Sequence, residues 1–213
     1  QVHFRPSNYK GIMDTETGAI LQALIQKYPQ KEMCIILKTE RLIIRPISEN
    51  DIENVFELQS LEQTSEFNTS KPPSNINETK INVDKWIDEN NKENIKHFTF
   101  AIELIDEEKF IGLIGLHLGK EHYKNAEVWF QFDYRFWNKG YATESLRKIL
   151  DFGFEELKLH RIEAGCAVEN IGSFSVLEKV GMFREAHTRK LLPLKSGWSD
   201  NYGYAILSSD ERK

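Results

Sequence analysis

Residues 133–144 read Asp133-Tyr134-Arg135-Phe136-Trp137-Asn138-Lys139-Gly140-Tyr141-Ala142-Thr143-Glu144. Ahead of them, Ala126 to Phe132 reads as a strand. Behind them, Ala142, Leu146, Ile149, Leu150, Gly153 and Leu157 fall at helical spacing. A strand therefore ends, a loop turns, and a helix begins near Tyr141. The amides of such a turn, with the unpaired N–H groups of the first helical turn, make an anion site. Gly140 lets backbone approach a phosphate with no Cβ in the way. Lys139 adds charge, and Thr143 can accept a helix N–H or touch the same phosphate. Neither a G-x-x-x-x-G-K-[ST] loop nor a G-x-G-x-x-G fingerprint is present. Taken alone, the stretch reads equally well as a capped strand-to-helix turn.

A second cluster changes that balance: Asn170-Ile171-Gly172-Ser173-Phe174-Ser175-Val176-Leu177-Glu178-Lys179-Val180-Gly181-Met182-Phe183. Arg161 to Val168 reads as a strand, and Ser173 to Val180 as a short helix closed by Gly181. Two parallel strands, 126–132 and 161–168, would then part where both helices leave the sheet. In such sheets the ligand lies in the cleft at the carboxyl ends of the strands.

Outward from these clusters, β and α signals interleave. Leu42 to Arg45 is a strand stopped by Pro46. Ser48 caps a helix with Asp51 in its first turn and Ile52, Val55, Phe56 and Gln59 on one face. Residues 70–75 form a loop around Pro72-Pro73, and a second helix runs through Ile81, Trp86 and Ile87. Strands at 98–104, 110–118 and 126–132 form an antiparallel meander. Phe183 to Leu192 and Tyr202 to Leu207 are the last strands, joined by a loop containing Gly197. The expected fold class is α/β (α+β): a mixed, mostly antiparallel sheet of about seven strands flanked by helices. Residues 1–32 differ, with one short helix over Ile20 to Tyr28 before Pro29; they read as an extension to a domain at 33–213.

Composition narrows the function classes. With 28 Lys+Arg against 33 Asp+Glu, the net charge of −5 argues against a protein that binds nucleic acid through phosphate neutralisation. It suits a cationic acceptor such as an amine. No apolar run approaches the ~18 residues of a membrane helix, so no membrane partner is expected. Two cysteines, Cys34 and Cys166, provide neither a disulfide framework nor a Cys-based zinc site, and no metal is expected. These features together read as cytoplasmic.

At this point the sequence resembles a known family. Lys139-Gly140-Tyr141-Ala142-Thr143-Glu144, preceded by Trp137, resembles the acetyl-CoA pyrophosphate loop of the GNAT N-acetyltransferase superfamily. Asn170-x-x-Ser173 with Glu178-Lys179-Val180-Gly181-Met182-Phe183 looks like its later motif. The opening Thr39-Glu40-Arg41-Leu42-Ile43-Ile44-Arg45-Pro46 is similar to the first strand of the subgroup of ribosomal-protein alanine N-acetyltransferases (the RimJ/RimL type). Trp198, Asp200 and Tyr204-Ala205-Ile206-Leu207 fit that subgroup too, as does Trp137. The resemblance spans residues 36 to 210.

The resemblance implies a GNAT fold, splayed between its fourth and fifth strands, and direct acetyl transfer from acetyl-CoA to a primary amine. It implies that a backbone amide near Phe130 or Gln131, at the end of the strand closing in Phe132, holds the thioester oxygen. Lys139, Gly140 and Ala142, with Arg135, Asn138, Tyr141 and Thr143 around them, would cradle the pyrophosphate, and Asn170 would bond the pantetheine or an adjacent carbonyl. Many members carry a tyrosine acid where Leu177 stands here; Ser173 is the nearest replacement as proton donor.

Glu127, beginning the strand beside the site, is the leading general base, against the plainer reading of a solvated carboxylate. Glu103 on the neighbouring strand is the second candidate. Cys166 reads as a core thiol, His117 and His160 as strand-end polar residues, and Trp86 as core. The expected acceptor is the N-terminal α-amine of a protein, with a ribosomal protein as the family example. The alternatives are a small-molecule amine (polyamine, aminoglycoside, amino acid) or an acyl-CoA-binding protein without turnover. Acceptor choice falls to residues 62–78 and 190–203, and the assembly is a monomer or homodimer.

Overall fold

The structure, a computed structural model, describes residues 35–212. The expected extension 1–32 with its helix, and Cys34, lie outside them. Eight strands form one sheet in the order β1-β2-β3-β4-β5-β6-β8-β7. They are β1 (Leu37–Lys38), β2 (Leu42–Pro46), β3 (His97–Leu104), β4 (Lys109–Leu118), β5 (Asn125–Phe132), β6 (Arg161–Ala167), β7 (Phe183–Leu194) and β8 (Gly197–Leu207). The short β1 is the strand that periodicity missed, since two residues carry no pattern. Every pairing is antiparallel except β5 with β6.

Helices cover both faces. On one lie α1 (Ile52–Ser60), the single turn α2 (Glu62–Ser65) and α3 (Ile76–Asn90), with Val55, Leu58 and Val83 packed around Leu113. Ser48 caps a 3-10 turn over Glu49–Asp51, forming a capping box with Asp51, and Asp51 stands just before α1 instead of in its first turn; Leu58 rather than Phe56 or Gln59 completes the buried stripe of α1. The other face holds α4 (Tyr141–Asp151) and α5 (Ile171–Lys179) over the larger core of Ile44, Phe100, Ile114, Leu146, Ile149 and Ile206. The helix expected to run to Leu157 changes to a π-helical turn over Phe152–Glu156, which keeps Phe152 and Phe154 both buried.

The parallel pairing of β5 and β6 is short: Asn125 with Arg161, Ala126 with Ile162, and Glu127 with Glu163. Beyond Glu127 the strands part, as expected. The final hairpin departs from expectation. Residues 190–203 form no free loop, because β7 and β8 run as a ribbon down to a turn at Leu194 and Gly197.

Candidate active site

The parting of β5 from β6 leaves backbone groups without strand partners, and residue parity identifies them. The Asp133 amide donates to the Ile111 carbonyl on β4 at 3.0 Å. Odd-numbered residues of β5 therefore turn their backbone groups to β4, and even-numbered ones to the gap. Phe130 N–H faces the gap; Gln131 faces β4, its carbonyl only 2.4 Å from where a Cβ on Gly112 would sit. Of the two amides expected to bind a thioester oxygen, that of Phe130 faces the gap and that of Gln131 faces β4. Gln131 instead sends its side chain to the Thr64 carbonyl at 3.3 Å. Phe132 turns its carbonyl to the gap, where the Trp137 indole N–H caps it at 2.8 Å. The Phe130 and Phe132 rings meet at 6.3 Å on the core side.

The loop from β5 to α4 begins with Asp133, whose side chain accepts from the Arg135 amide at 2.9 Å. Arg135 was expected among the anion-binding residues. Its guanidinium instead pairs with Asp133 and, at 2.6 Å, with Glu57 of α1. These two carboxylates hold the Arg135 pKa above its ordinary value, and burial does little against them. Asn138 and Gly140 adopt left-handed backbone, φ 59° and 83°. Gly140 is the residue before α4 and has no side chain to cap it, so the first amides of the helix stay open. Lys139 is exposed with its ammonium 5.1 Å from the Phe136 ring centre, a ring shared with Lys109 at the same distance. Tyr141 and Ala142 are half-buried. Thr143 is buried on the inner face of α4 with Leu146, so only its amide remains for an anion.

Across the gap, the Asn170 side-chain oxygen accepts from the Ser173 amide at 3.0 Å and caps α5. That commits its oxygen to the helix and leaves its amide donors for a ligand. The Ser173 hydroxyl lies against the Cys166 thiol, which burial pushes up to about 11 despite the serine's contrary pull. Cys166 is the buried free thiol that was expected. Leu177 is fully buried, so that position faces core here. Tyr204 does not replace the missing tyrosine. It is buried, donates to Glu178 at 2.8 Å, and burial with that neighbour raises its pKa.

Glu127 is exposed at the last paired position, in register with His117 on β4 and Glu163 on β6. It shares its sheet face with Trp129, whose indole donates to His117 Nε2 at 3.1 Å and packs 6.3 Å from Trp86. Partial burial and the neighbouring His97 hold His117 below the ordinary histidine pKa. Glu103, the second candidate base, is corrected by the structure. It is 6% exposed, and its carboxylate accepts from Arg45 at 2.5 Å, while Arg45 also holds Asp51 at 2.7 Å. This buried ion cluster ties β2 and β3 to the cap of α1. The two expected acceptor segments do meet: Lys195 at the hairpin tip pairs with Glu62 at 3.1 Å. Among the described residues no His/Cys/Asp/Glu cluster could hold a metal, and no helix is long and apolar enough to cross a membrane.

Thr39 and Arg41, quoted above only as part of an opening motif, reach this loop from the turn between β1 and β2. Sequence reasoning missed their part in the site, because their partner lies about a hundred positions away.

Known proteins share this fold. Residues 41–183 match the family model described as an acetyltransferase (GNAT) domain. The uncharacterized N-acetyltransferase YnaD of Bacillus subtilis is 35% identical over 82% of this chain and 98% of its own. A solved GNAT-family acetyltransferase from Bacillus anthracis is 34% identical, with TM-score 0.73 over 83% of this chain and 100% of that one. Two more distant structures share the fold. They are a spermidine N-acetyltransferase of Vibrio cholerae in complex with CoA and spermine (23%, TM-score 0.72, 80% and 98% covered) and a ribosomal-protein-S5-alanine acetyltransferase of Vibrio fischeri (20%, TM-score 0.74, 83% and 98% covered). With the split sheet, the open helix terminus and these relatives together, the chain belongs to the GNAT acetyltransferase family.

Proposed function

We propose that this enzyme acetylates the α-amine of a protein N-terminus, a ribosomal protein being the example set by the RimJ/RimL-type resemblance, and works in the cytoplasm. The observation that carries the site assignment is the gap between β5 and β6, with Phe130 N–H directed into it beside the open end of α4. Acetyl-CoA supplies an activated acetyl thioester. The residues present suit it: Gly140 offers backbone without a Cβ, and the amides of residues 140 to 143 lack intrahelical acceptors.

Each protein group then has a task. The amides at 140 to 143, with the Lys139 charge and Asn138 beside them, bind the pyrophosphate, and the Asn170 amide donates to the pantetheine. Phe130 N–H donates to the carbonyl oxygen under attack, where charge develops. Glu127 takes the amine's proton, directly or through a water, and the Ser173 hydroxyl gives one to the departing sulfur. An α-amine with pKa about 7.7–8.0 is already partly neutral near pH 7.5, whereas a lysine at about 10.4 is not. An exposed Glu127 is a sufficient base for the first and a weak one for the second.

A second reading, acetylation of a small polycation, is favoured by the register pair Glu127 and Glu163 at the mouth of the gap, two carboxylates on one face. Arg161 offsets it by holding Glu163 at 2.7 Å. A matched pair of peptides separates the readings, one with a free N-terminus and one with only a free lysine, with spermidine alongside. The expected result at pH 7.5 is a higher kcat/KM for the free N-terminus. Preference for spermidine over both peptides establishes the second reading instead.

A further inference from the structure

Thr39 and Arg41 converge on Glu144, 103 to 105 positions further along, in the first turn of α4. The Thr39 hydroxyl donates to one carboxylate oxygen at 2.5 Å, and the Arg41 amide donates to the same oxygen at 3.1 Å. The guanidinium holds the other oxygen through Nε at 2.8 Å and Nη2 at 2.6 Å. Its remaining arm, Nη1, donates to the Lys139 carbonyl at 3.1 Å. The guanidinium also lies 4.5 Å above the Tyr141 ring, and Nη2 is 3.3 Å from where a Cβ on Gly140 would stand.

Two physical consequences follow. A bare carboxylate in the first turn of α4 would compete with an incoming diphosphate for the positive end of the helix. Arg41 cancels that charge. In a trans peptide the carbonyl and the next N–H point in opposite directions. By drawing the Lys139 carbonyl to one side, Arg41 therefore aims the Gly140 N–H to the other.

We propose that Arg41 is a positioning residue for acetyl-CoA: it neutralises Glu144 and sets the direction of the Gly140 amide without itself touching the reacting atoms. This rests on loop 138–143 being the pyrophosphate cradle. Arginine suits the task because its planar fork serves the carboxylate and the carbonyl together, which an ammonium cannot.

The test is calorimetric binding of coenzyme A, with steady-state kinetics, on the intact protein, Arg41→Ala, Arg41→Lys and the double variant Arg41→Ala/Glu144→Gln. Arg41→Ala should weaken coenzyme A binding by about ten-fold or more, the size of one charge-assisted hydrogen bond, and raise the KM for acetyl-CoA likewise. At saturating acetyl-CoA, kcat and the acceptor KM should hold. Removing the carboxylate in the double variant should recover a substantial part of the lost affinity. A merely structural role would not produce that rescue. Unchanged affinity in Arg41→Ala, or a loss that Glu144→Gln leaves untouched, overturns the proposal. Should Arg41→Ala fail to fold, Arg41→Lys carries the test: weaker coenzyme A binding upholds the proposal and unchanged binding overturns it. Failure of the intact protein to bind coenzyme A would instead refute the cradle itself, which keeps the two claims distinct.

Discussion

The indole nitrogen of Trp137 donates to the Phe132 carbonyl across 2.8 Å, at a level where β5 has already parted from β6. The bond satisfies a group that a continuous sheet would have paired, so the loop supplies what the splayed strands cannot. Trp137→Phe keeps an aromatic ring, smaller than the indole, and removes the donor. The expected cost is about 1 kcal/mol of stability in urea unfolding, with a raised KM for acetyl-CoA. Wild-type values in both measurements would reduce Trp137 to a surface ring.

Gly140 combines φ 83° with an open helix terminus. Gly140→Asp adds backbone strain, bulk and a negative charge where the pyrophosphate is assigned. Calorimetry should find acetyl-CoA binding reduced by about a hundred-fold or more, from charge and blockage together. Retained affinity would move the cradle elsewhere.

Glu103 belongs to a buried ion cluster and carries no assigned part in proton transfer. Glu103→Gln weakens one side of the Arg45 pairing and should cost on the order of 3 kcal/mol. The pH dependence of kcat/KM should keep its shape at a temperature where the variant is folded. A lower kcat/KM with stability intact would return Glu103 to the candidate bases.

Asp133 gives a pH-dependent contribution. Burial raises its pKa, but the side-chain and backbone donors of Arg135 outweigh that and hold the carboxyl below its ordinary 3.8. A carboxyl depressed on folding stabilises the native state above its unfolded pKa, and that stabilisation disappears as pH falls through the lower, folded value. Urea midpoints of wild type and Asp133→Asn should therefore differ near neutral pH and converge as acid protonates the carboxyl. A gap independent of pH would mean the ionised pair is not what Asp133 contributes.

Ser173 starts α5 with its hydroxyl on Cys166 and its amide capped by Asn170. Its proposed role as proton donor to sulfur predicts that Ser173→Ala lowers kcat about ten-fold or more, with little change in the KM for acetyl-CoA. An equal kcat across the pH range would remove it from the mechanism.

Much of this molecule is legible along the chain because its signals are local. Pro46, Gly181 and the cap at Ser48 act within one turn of where they stand, so most strands and helices and their order follow from short stretches. The proposed anion loop is legible for the same reason: Gly140 and the helix behind it are neighbours. Asn170, read only for the pantetheine, also caps α5, which starts two residues before the expected Ser173. Parity along β5 is local too, yet choosing Phe130 over Gln131 needed the Asp133–Ile111 hydrogen bond to set its phase.

Local sequence determined most of the elements and the place of the loop, since backbone propensity and period-two or helical patterning act over a few residues. Tertiary structure alone decided which charges are spent on the fold. Arg135 goes to Glu57, Glu103 to Arg45 and Arg41 to Glu144, pairs 78, 58 and 103 positions apart. No local pattern reports such pairs, because a carboxylate's partner is whatever cation the fold brings within about 4 Å of it. Whether Glu103 serves as a base or as a strut is settled by that juxtaposition in space and by nothing in the residue itself.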